Sequence, residues 1–137
     1  MLIVTRYAHS SIQQYMHRGS LRQVLNSTES WSEFTPVMKH QLLCDISDGM
    51  QFLHDQEVFH RDLKSHNVLI TDDHRAVLTD FGLSKTATTI SGMTNTKSSF
   101  GGGTLAWTAP EIFASKRGAS QYTVKSDVYS FGKSYYL

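Results

Sequence analysis

The sequence predicts an α+β fold that is mainly helical and carries a short β hairpin. Three observations support this prediction. Apolar residues recur at helical spacing between residues 36 and 55. Two short apolar runs, NVLI and AVLT, flank the turn-forming pair Asp72-Asp73. Two further helix starts follow, one at Pro110 and one at Ser126 or Asp127.

Composition limits the classes of protein to which the chain can belong. Its 137 residues suffice for one domain, and its formal charge of +1 provides no strong attraction for nucleic acid or an anionic membrane. The single cysteine, Cys44, cannot build a disulfide framework, so we expect a reducing compartment. No apolar run approaches the roughly 18 residues of a membrane helix. We therefore expect a cytoplasmic protein without a membrane segment and without a nucleic-acid partner.

The first 34 residues hold weaker structural signals. MLIV at residues 1–4 predicts a strand, and the polar stretch after it has no clear period. Residues 19–26 predict a short helix that Ser20 would cap. We expect residues 27–34 to form a surface connection.

An amphipathic helix over residues 36–55 is the clearest secondary-structure prediction. Thr35 and Pro36 provide an N-cap and a first-turn proline. The apolar positions that follow at helical spacing are Met38, Leu42, Leu43, Ile46, Met50 and Leu53. Gly49 either weakens this helix slightly or admits a close neighbour. We interpret the apolar stripe as part of the protein core.

Short strands and a long polar segment occupy the middle of the chain. EVFH at residues 57–60 predicts a strand, and residues 68–79 predict a small hairpin. Residues 85–103 are rich in Ser, Thr and Gly and predict a long loop. Loops of that length without their own secondary structure are usually functional or disordered.

Four short motifs carry the chemical information of the chain. They are HRDLKSHN at 60–67, DFG at 80–82, APE at 109–111 and SDVYSFG at 126–132. Each motif alone occurs by chance, but four of them in this order, with suitable elements between them, are hard to explain otherwise. Together they resemble the protein kinase catalytic domain.

The resemblance covers about residues 15 to 132, mostly the larger, helical lobe of a kinase. It implies that residues 1–137 form a partial kinase domain, from the hinge region to the start of helix F. The activation segment would span residues 80–111. The glycine-rich loop and the strand lysine of the smaller lobe are not in this sequence, so the N-lobe is mostly missing.

The resemblance implies a site for phosphoryl transfer from ATP. Asp62 would orient the hydroxyl of a protein substrate and accept its proton, and Lys64 would steady the γ-phosphate. Asn67 and Asp80 would hold Mg²⁺ through side-chain oxygens, which suits a hard cation. These two residues and Leu69, under the adenine ring, would bind the cofactor.

Other residues of the motifs would support the catalytic loop. Thr104 would contact Asp62 and Lys64 of this loop and would therefore be a catalytic residue. His60 and Phe81 would stack in a hydrophobic column between the lobes. Asp127 would accept backbone hydrogen bonds that brace the catalytic loop.

Lys64 and Thr104 stand where serine/threonine kinases carry lysine and threonine. Trp107 is shared with tyrosine kinases and with the tyrosine-kinase-like group of serine/threonine kinases. GTLAWTAPE, HRDLKSHNVLI and DFGLSK together are similar to that group. The resemblance therefore implies phosphorylation of Ser and Thr side chains.

Regulation by phosphorylation is a further expectation. The segment TATTISGMTNTKSSFGGG at residues 86–103 offers many hydroxyl groups. A phosphate on one of them would pair with Arg61 and order the loop. An upstream activating kinase would then be a partner, in addition to ATP and the protein substrate.

Two alternatives stand beside the kinase interpretation. The even spacing of His54, His60 and His66 invites a zinc site, although the kinase pattern already accounts for His60 and no cysteine lies near. His54 would otherwise pack or form a hydrogen bond at a helix end. The second alternative is a non-catalytic kinase fragment that acts as a binding or regulatory partner. Without a phosphate lid, we expect the isolated chain to have little or no kinase activity.

Overall fold

The computed structural model describes residues 5–7, 10–12, 15–80, 85–86, 105–114 and 122–136. The strands in these ranges are β1 (Thr5–Tyr7), β2 (Ser10–Ile12), β3 (Val58–Phe59), β4 (Val68–Ile70), β5 (Ala76–Leu78) and β6 (Lys85–Thr86). The α-helices are α1 (Leu21–Asn26), α2 (Thr28–Ser32), α3 (Pro36–Asp55), α4 (Pro110–Ala114) and α5 (Val124–Tyr136). Two 3₁₀ turns, Ser65–Asn67 and Leu105–Trp107, complete the described elements.

The described strands form three two-stranded antiparallel sheets, β1-β2, β3-β6 and β4-β5. The β4-β5 hairpin pairs Val68 with Leu78 and Ile70 with Ala76. Helices and this hairpin confirm the predicted α+β fold. The strand predicted at residues 57–60 is β3.

Helix α3 begins and ends where the sequence predicts. The Thr35 hydroxyl accepts a hydrogen bond from the Met38 backbone N–H at 3.2 Å, and Pro36 occupies the first turn. Four members of the apolar stripe are buried: Leu42, Ile46, Met50 and Leu53. Met38 and Leu43 are half-buried at the margins of the stripe.

The core lies where α3 and α1 each pack against the β4-β5 hairpin. Its buried apolar residues are Leu21, Val24, Phe34, Leu42, Ile46, Met50, Leu53, Leu63, Val68, Ile70, Ala76 and Leu78. Gly49 faces this hairpin, and a Cβ atom there would lie 3.0 Å from Leu78 Cδ1. The close approach confirms the second of the two roles predicted for Gly49.

An ion pair ties α3 to the hairpin at the edge of this core. The Asp45 carboxylate accepts hydrogen bonds from Arg75 Nε at 2.8 Å, from the Ala76 N–H at 2.9 Å and from Gln41 Nε2 at 3.0 Å. Burial opposes the ionised form, but the hydrogen bonds from these three donors outweigh it and lower the pKa of Asp45.

Two short elements of the N-terminal part were not predicted, and one of them replaces the surface connection expected at residues 27–34. The polar stretch after residues 1–4 contains the antiparallel pair β1-β2. Residues 27–34 contain α2, because the Ser27 hydroxyl accepts from the Ser30 N–H at 3.2 Å and so caps a short helix. The predicted helix at 19–26 is α1, which Ser20 caps as expected. The strand predicted at residues 1–4 lies outside the described residues.

Helix α5 begins at Val124, and not at the predicted Ser126 or Asp127 cap. The reason is local: the Ser126 hydroxyl accepts a hydrogen bond from the Thr123 N–H at 3.3 Å. Ser126 is thus the third residue of the helix in a capping box, and Thr123 is the cap.

The helix predicted at Pro110 is α4. Within the predicted loop at 85–103, Lys85 and Thr86 pair with β3, and the rest lies outside the described residues. No helix in the described part of the chain is long and apolar enough to cross a membrane.

Replacement of Asp45 by asparagine should remove a pH-dependent part of the stability. Since the folded pKa of Asp45 is lowered, its carboxylate stabilises the fold above the unfolded value of about 3.9, and this contribution is lost as the pH falls through the folded pKa. We expect Asp45→Asn to cost about 2 kcal/mol at pH 7 and much less near pH 3, measured by urea unfolding. The exposed turn variant Asp72→Asn is the control. An equal cost of Asp45→Asn at both pH values would contradict this account.

Candidate active site

The loop between β3 and β4 carries the HRDLKSHN motif, and Asp127 on α5 holds its backbone. Asp127 Oδ2 accepts from the His60 N–H, and Oδ1 accepts from the Arg61 N–H, both at 2.9 Å. His54 Nε2, on α3, lies 3.0 Å from Asp127 Oδ2. The expected brace by Asp127 and the hydrogen bond of His54 at a helix end are both confirmed.

This brace supports an unusual backbone conformation. Arg61 has a φ of 71°, in the left-handed region that a residue with a side chain rarely adopts. Such a conformation costs on the order of 1–3 kcal/mol and persists only where its surroundings enforce it. The buried Asp127 carboxylate, 1% exposed, provides that enforcement because its two oxygens bind two successive N–H groups.

Asp62 is the centre of the candidate site. Its side chain is only 10% exposed, and Lys64 Nζ lies 2.7 Å from its Oδ2 atom. Asn67 Nδ2 donates to the Asp62 backbone oxygen at 2.7 Å and to Oδ2 at 3.1 Å. Two other predicted site residues therefore converge on the Asp62 carboxylate.

These contacts define the orientation of the Asn67 amide. Both of its partners on Asp62 are acceptors, so the amide nitrogen must face them. The amide oxygen consequently points away from Asp62 and remains an acceptor of the kind that Mg²⁺ prefers. The residue is 6% exposed, so neighbouring atoms limit its rotation.

Asp80 reaches the same end of the hairpin as Asn67. The Thr79 N–H donates to the Asn67 backbone oxygen at 3.0 Å, and Asp80 follows directly. Asp80 is exposed and has a φ of 61°. The Asn67 amide oxygen and the Asp80 carboxylate lie at one end of the hairpin. Oxygen ligands of this kind suit Mg²⁺, whose other ligands would be phosphate oxygens and water. Among the residues that the structure describes, no three His, Cys, Asp or Glu side chains form a metal-binding group.

Leu69 occupies the middle of β4. Its neighbours Val68 and Ile70 are fully buried in the core, whereas Leu69 is half-buried. Since successive strand residues face opposite sides, Leu69 lies on the face away from the core. This position is compatible with a cofactor contact. The predicted contacts of Thr104 and Phe81 lie outside the described residues.

Tyr122 is a residue of the site that no sequence motif predicts. The Arg61 guanidinium lies 4.9 Å from the centre of the Tyr122 ring, a cation–π distance. Burial lowers the pKa of Arg61 and raises the pKa of Tyr122. No motif in the sequence marks this pair, because the two residues are far apart along the chain and meet only in the folded structure.

The three evenly spaced histidines have different surroundings. His54 contacts Asp127, and the His66 ring packs edge-on against Trp107 with ring centres 6.3 Å apart. His60 is fully buried, and this burial lowers its pKa. Their geometry provides no support for the zinc alternative.

The helical body presents Asp62, Lys64 and Asn67 together on a braced loop, as the kinase resemblance implies. The chain belongs to the protein tyrosine and serine/threonine kinase family, which matches residues 2–136. This match confirms the resemblance on which the predicted site rests.

The relatives are similar over most of this chain but are much longer. A probable serine/threonine-protein kinase of Dictyostelium discoideum is 43% identical over 88% of the chain and 11% of its own length. The Arabidopsis thaliana serine/threonine/tyrosine-protein kinase HT1 is 43% identical over 88% of the chain and 28% of its own length. The human serine/threonine-protein kinase TNNI3K is 35% identical over 88% of the chain and 14% of its own length. The chain thus spans between 11% and 28% of the length of these relatives. They support the predicted tyrosine-kinase-like character.

Replacement of Asp127 by asparagine should destabilise the fold and release the catalytic loop. An asparagine side chain would place an NH₂ group against one of the two backbone donors, so one N–H would be left buried without an acceptor. We expect a loss of about 3 kcal/mol in the free energy of unfolding. Urea unfolding measures this loss, with Asp72→Asn as the control. Equal stability of the two variants would show that Asp127 does not brace the loop.

Proposed function

We propose that the chain forms the catalytic-loop part of a protein kinase that transfers the γ-phosphoryl group of ATP to Ser or Thr hydroxyls of a protein substrate. The observation that carries this proposal is the convergence of Lys64 and Asn67 on Asp62, at 2.7 and 3.1 Å. Phosphoryl transfer depends mainly on positioning and on charge neutralisation, and this cluster supports both.

Asp62 acts on the substrate in this proposal. Its carboxylate accepts the proton of the substrate hydroxyl, a contribution of about 10²–10⁴-fold in rate. Lys64 neutralises charge on the transferred group. Since an ammonium group carries three donors, Lys64 contacts Asp62 and a phosphate oxygen at the same time.

Asn67 and Asp80 bind the cofactor in the proposal. Their side-chain oxygens hold Mg²⁺, which neutralises phosphate charge when it is bound with ATP. Leu69 contacts the adenine ring from the outer face of β4. Thr104 completes the catalytic set through contacts with Asp62 and Lys64.

The other functional features are proposed on the family pattern. Residues 1–137 extend from the hinge region to the start of helix F, with the activation segment at 80–111. We propose a cytoplasmic signalling role, with an upstream kinase that phosphorylates the activation segment and so provides a partner for Arg61. The stacking of Arg61 on Tyr122 supports this role, because it keeps the guanidinium close to the catalytic loop.

In a protein that joins this chain to the smaller lobe of a related kinase domain, replacement of Asp62 by asparagine should abolish phosphate transfer and leave nucleotide binding intact. An asparagine retains the shape of the side chain but cannot accept the proton. We expect kcat to fall at least about 100-fold, with the KM for ATP changed less than about threefold. Radiolabelled ATP and a mixture of Ser/Thr-containing proteins provide the assay, with Asp72→Asn as the control. Transfer at the wild-type rate by Asp62→Asn would refute the assigned role.

The non-catalytic alternative is distinguished by nucleotide binding. If Mg²⁺–ATP binds the folded state, ligand at 100 times Kd adds about 2.7 kcal/mol of stability and raises Tm. A wild-type protein that shows neither transfer nor a rise in Tm would favour the binding or regulatory role.

A further inference from the structure

A small cavity lies behind the catalytic carboxylate, between the catalytic loop, the segment Trp107–Ala109 and α5. Arg61, Asp62, Trp107 and Tyr122 are among the residues that line it. The space open to a water-sized sphere is about 10 Å³. That is the volume of about one such sphere, so the cavity has room for one water molecule and for little else.

Three buried polar atoms without a hydrogen-bond partner belong to residues that line this cavity. They are Arg61 Nε, Asp62 Oδ1 and Trp107 Nε1. Buried polar atoms in proteins are nearly always hydrogen-bonded, either to the protein or to ordered water. Because the three residues line one small cavity, a single molecule in that cavity is a candidate partner for all three atoms.

The chemistry of the three atoms identifies that partner. Arg61 Nε and Trp107 Nε1 are donors, whereas Asp62 Oδ1 is an acceptor. A cation would face two donors, and an anion would face the Asp62 carboxylate. A water molecule accepts two hydrogen bonds and donates two, so it satisfies all three atoms.

We propose that one water molecule is bound in this cavity, where it accepts from Trp107 Nε1 and Arg61 Nε and donates to Asp62 Oδ1, and that Trp107 is thereby a positioning residue for Asp62. The proposed binding of water depends only on the cavity and on the buried polar atoms of the residues that line it. The positioning role rests on the proposed kinase function.

The surroundings hold both ends of this bridge in place. Ser130 Oγ on α5 donates to the Trp107 backbone oxygen at 2.7 Å, and Trp107 is 8% exposed. Arg61 stacks on Tyr122. On the other side of the carboxylate, Lys64 and Asn67 bind Asp62 Oδ2. With the water bound, each oxygen of the Asp62 carboxylate has its own hydrogen-bond partners.

The water is tested directly on the folded wild-type protein by nuclear magnetic resonance. The chain has two tryptophans, Trp31 and Trp107, so labelled tryptophan gives two indole N–H signals, and Trp31→Phe assigns them. We expect nuclear Overhauser transfer from a long-lived water to the Trp107 indole N–H. Trp31 does not line the cavity and should show no such contact. Absence of the contact at Trp107 would overturn the proposal, and this measurement requires no enzymatic activity.

The positioning role is tested by Trp107→Phe in the chain joined to a smaller lobe, because this change keeps a ring and removes the indole donor. Loss of one hydrogen bond to a charged network should lower kcat about tenfold, with the KM for ATP unchanged within about twofold. Trp31→Phe is the matched control and should retain the wild-type kcat. A folded Trp107→Phe with unchanged kcat would overturn the positioning role.

These outcomes are separate from a failure of the proposed function. If the chain joined to a smaller lobe transfers no phosphate, the kinase proposal fails, while the contact between water and Trp107 still decides whether the water is present. If Trp107→Phe does not fold, the wild-type spectrum likewise decides the existence of the water.

Discussion

The buried carboxylate of Asp127 is the interaction on which the candidate site depends. It binds the backbone of His60 and Arg61 and contacts His54, so it joins α5, α3 and the catalytic loop. A buried carboxylate is costly unless every lone pair finds a donor. Because the donors come from two successive backbone N–H groups, the cost of burial is offset only when the loop adopts its left-handed turn at Arg61.

A second region holds the far end of the loop. Asn67 ends the 3₁₀ turn that leads into β4, and its backbone oxygen accepts from Thr79 at the end of β5. The hairpin itself packs on α3, where Gly49 permits the close approach of Leu78. Asp62 therefore lies between two anchored segments, and its contacts with Lys64 and Asn67 are a consequence of that frame.

Much of the structure that supports this loop follows from local sequence. The bounds of α3 agree with the prediction because a threonine cap, a first-turn proline and a regular apolar stripe all indicate the same helix. The β4-β5 hairpin agrees because two apolar runs flank a pair of turn residues. The start of α5 was predicted too late, since Ser126 supports a cap at Thr123 and is not itself the cap. The short elements α2 and β1-β2 were missed because they have too few residues to show a period.

For the candidate site, the sequence by itself determined the residue types and their order: an aspartate, a lysine and an asparagine in one loop, and a second aspartate after the hairpin. The resemblance to protein kinases implied that Asp127 would brace the loop. Only the tertiary structure decided that Lys64 and Asn67 share one oxygen of Asp62, and that Arg61 meets Tyr122. It also brought three residues with unpartnered buried polar atoms to the lining of one cavity. The physical reason is that these contacts depend on the conformation of the loop and on packing between segments, neither of which leaves a periodic signal in the chain.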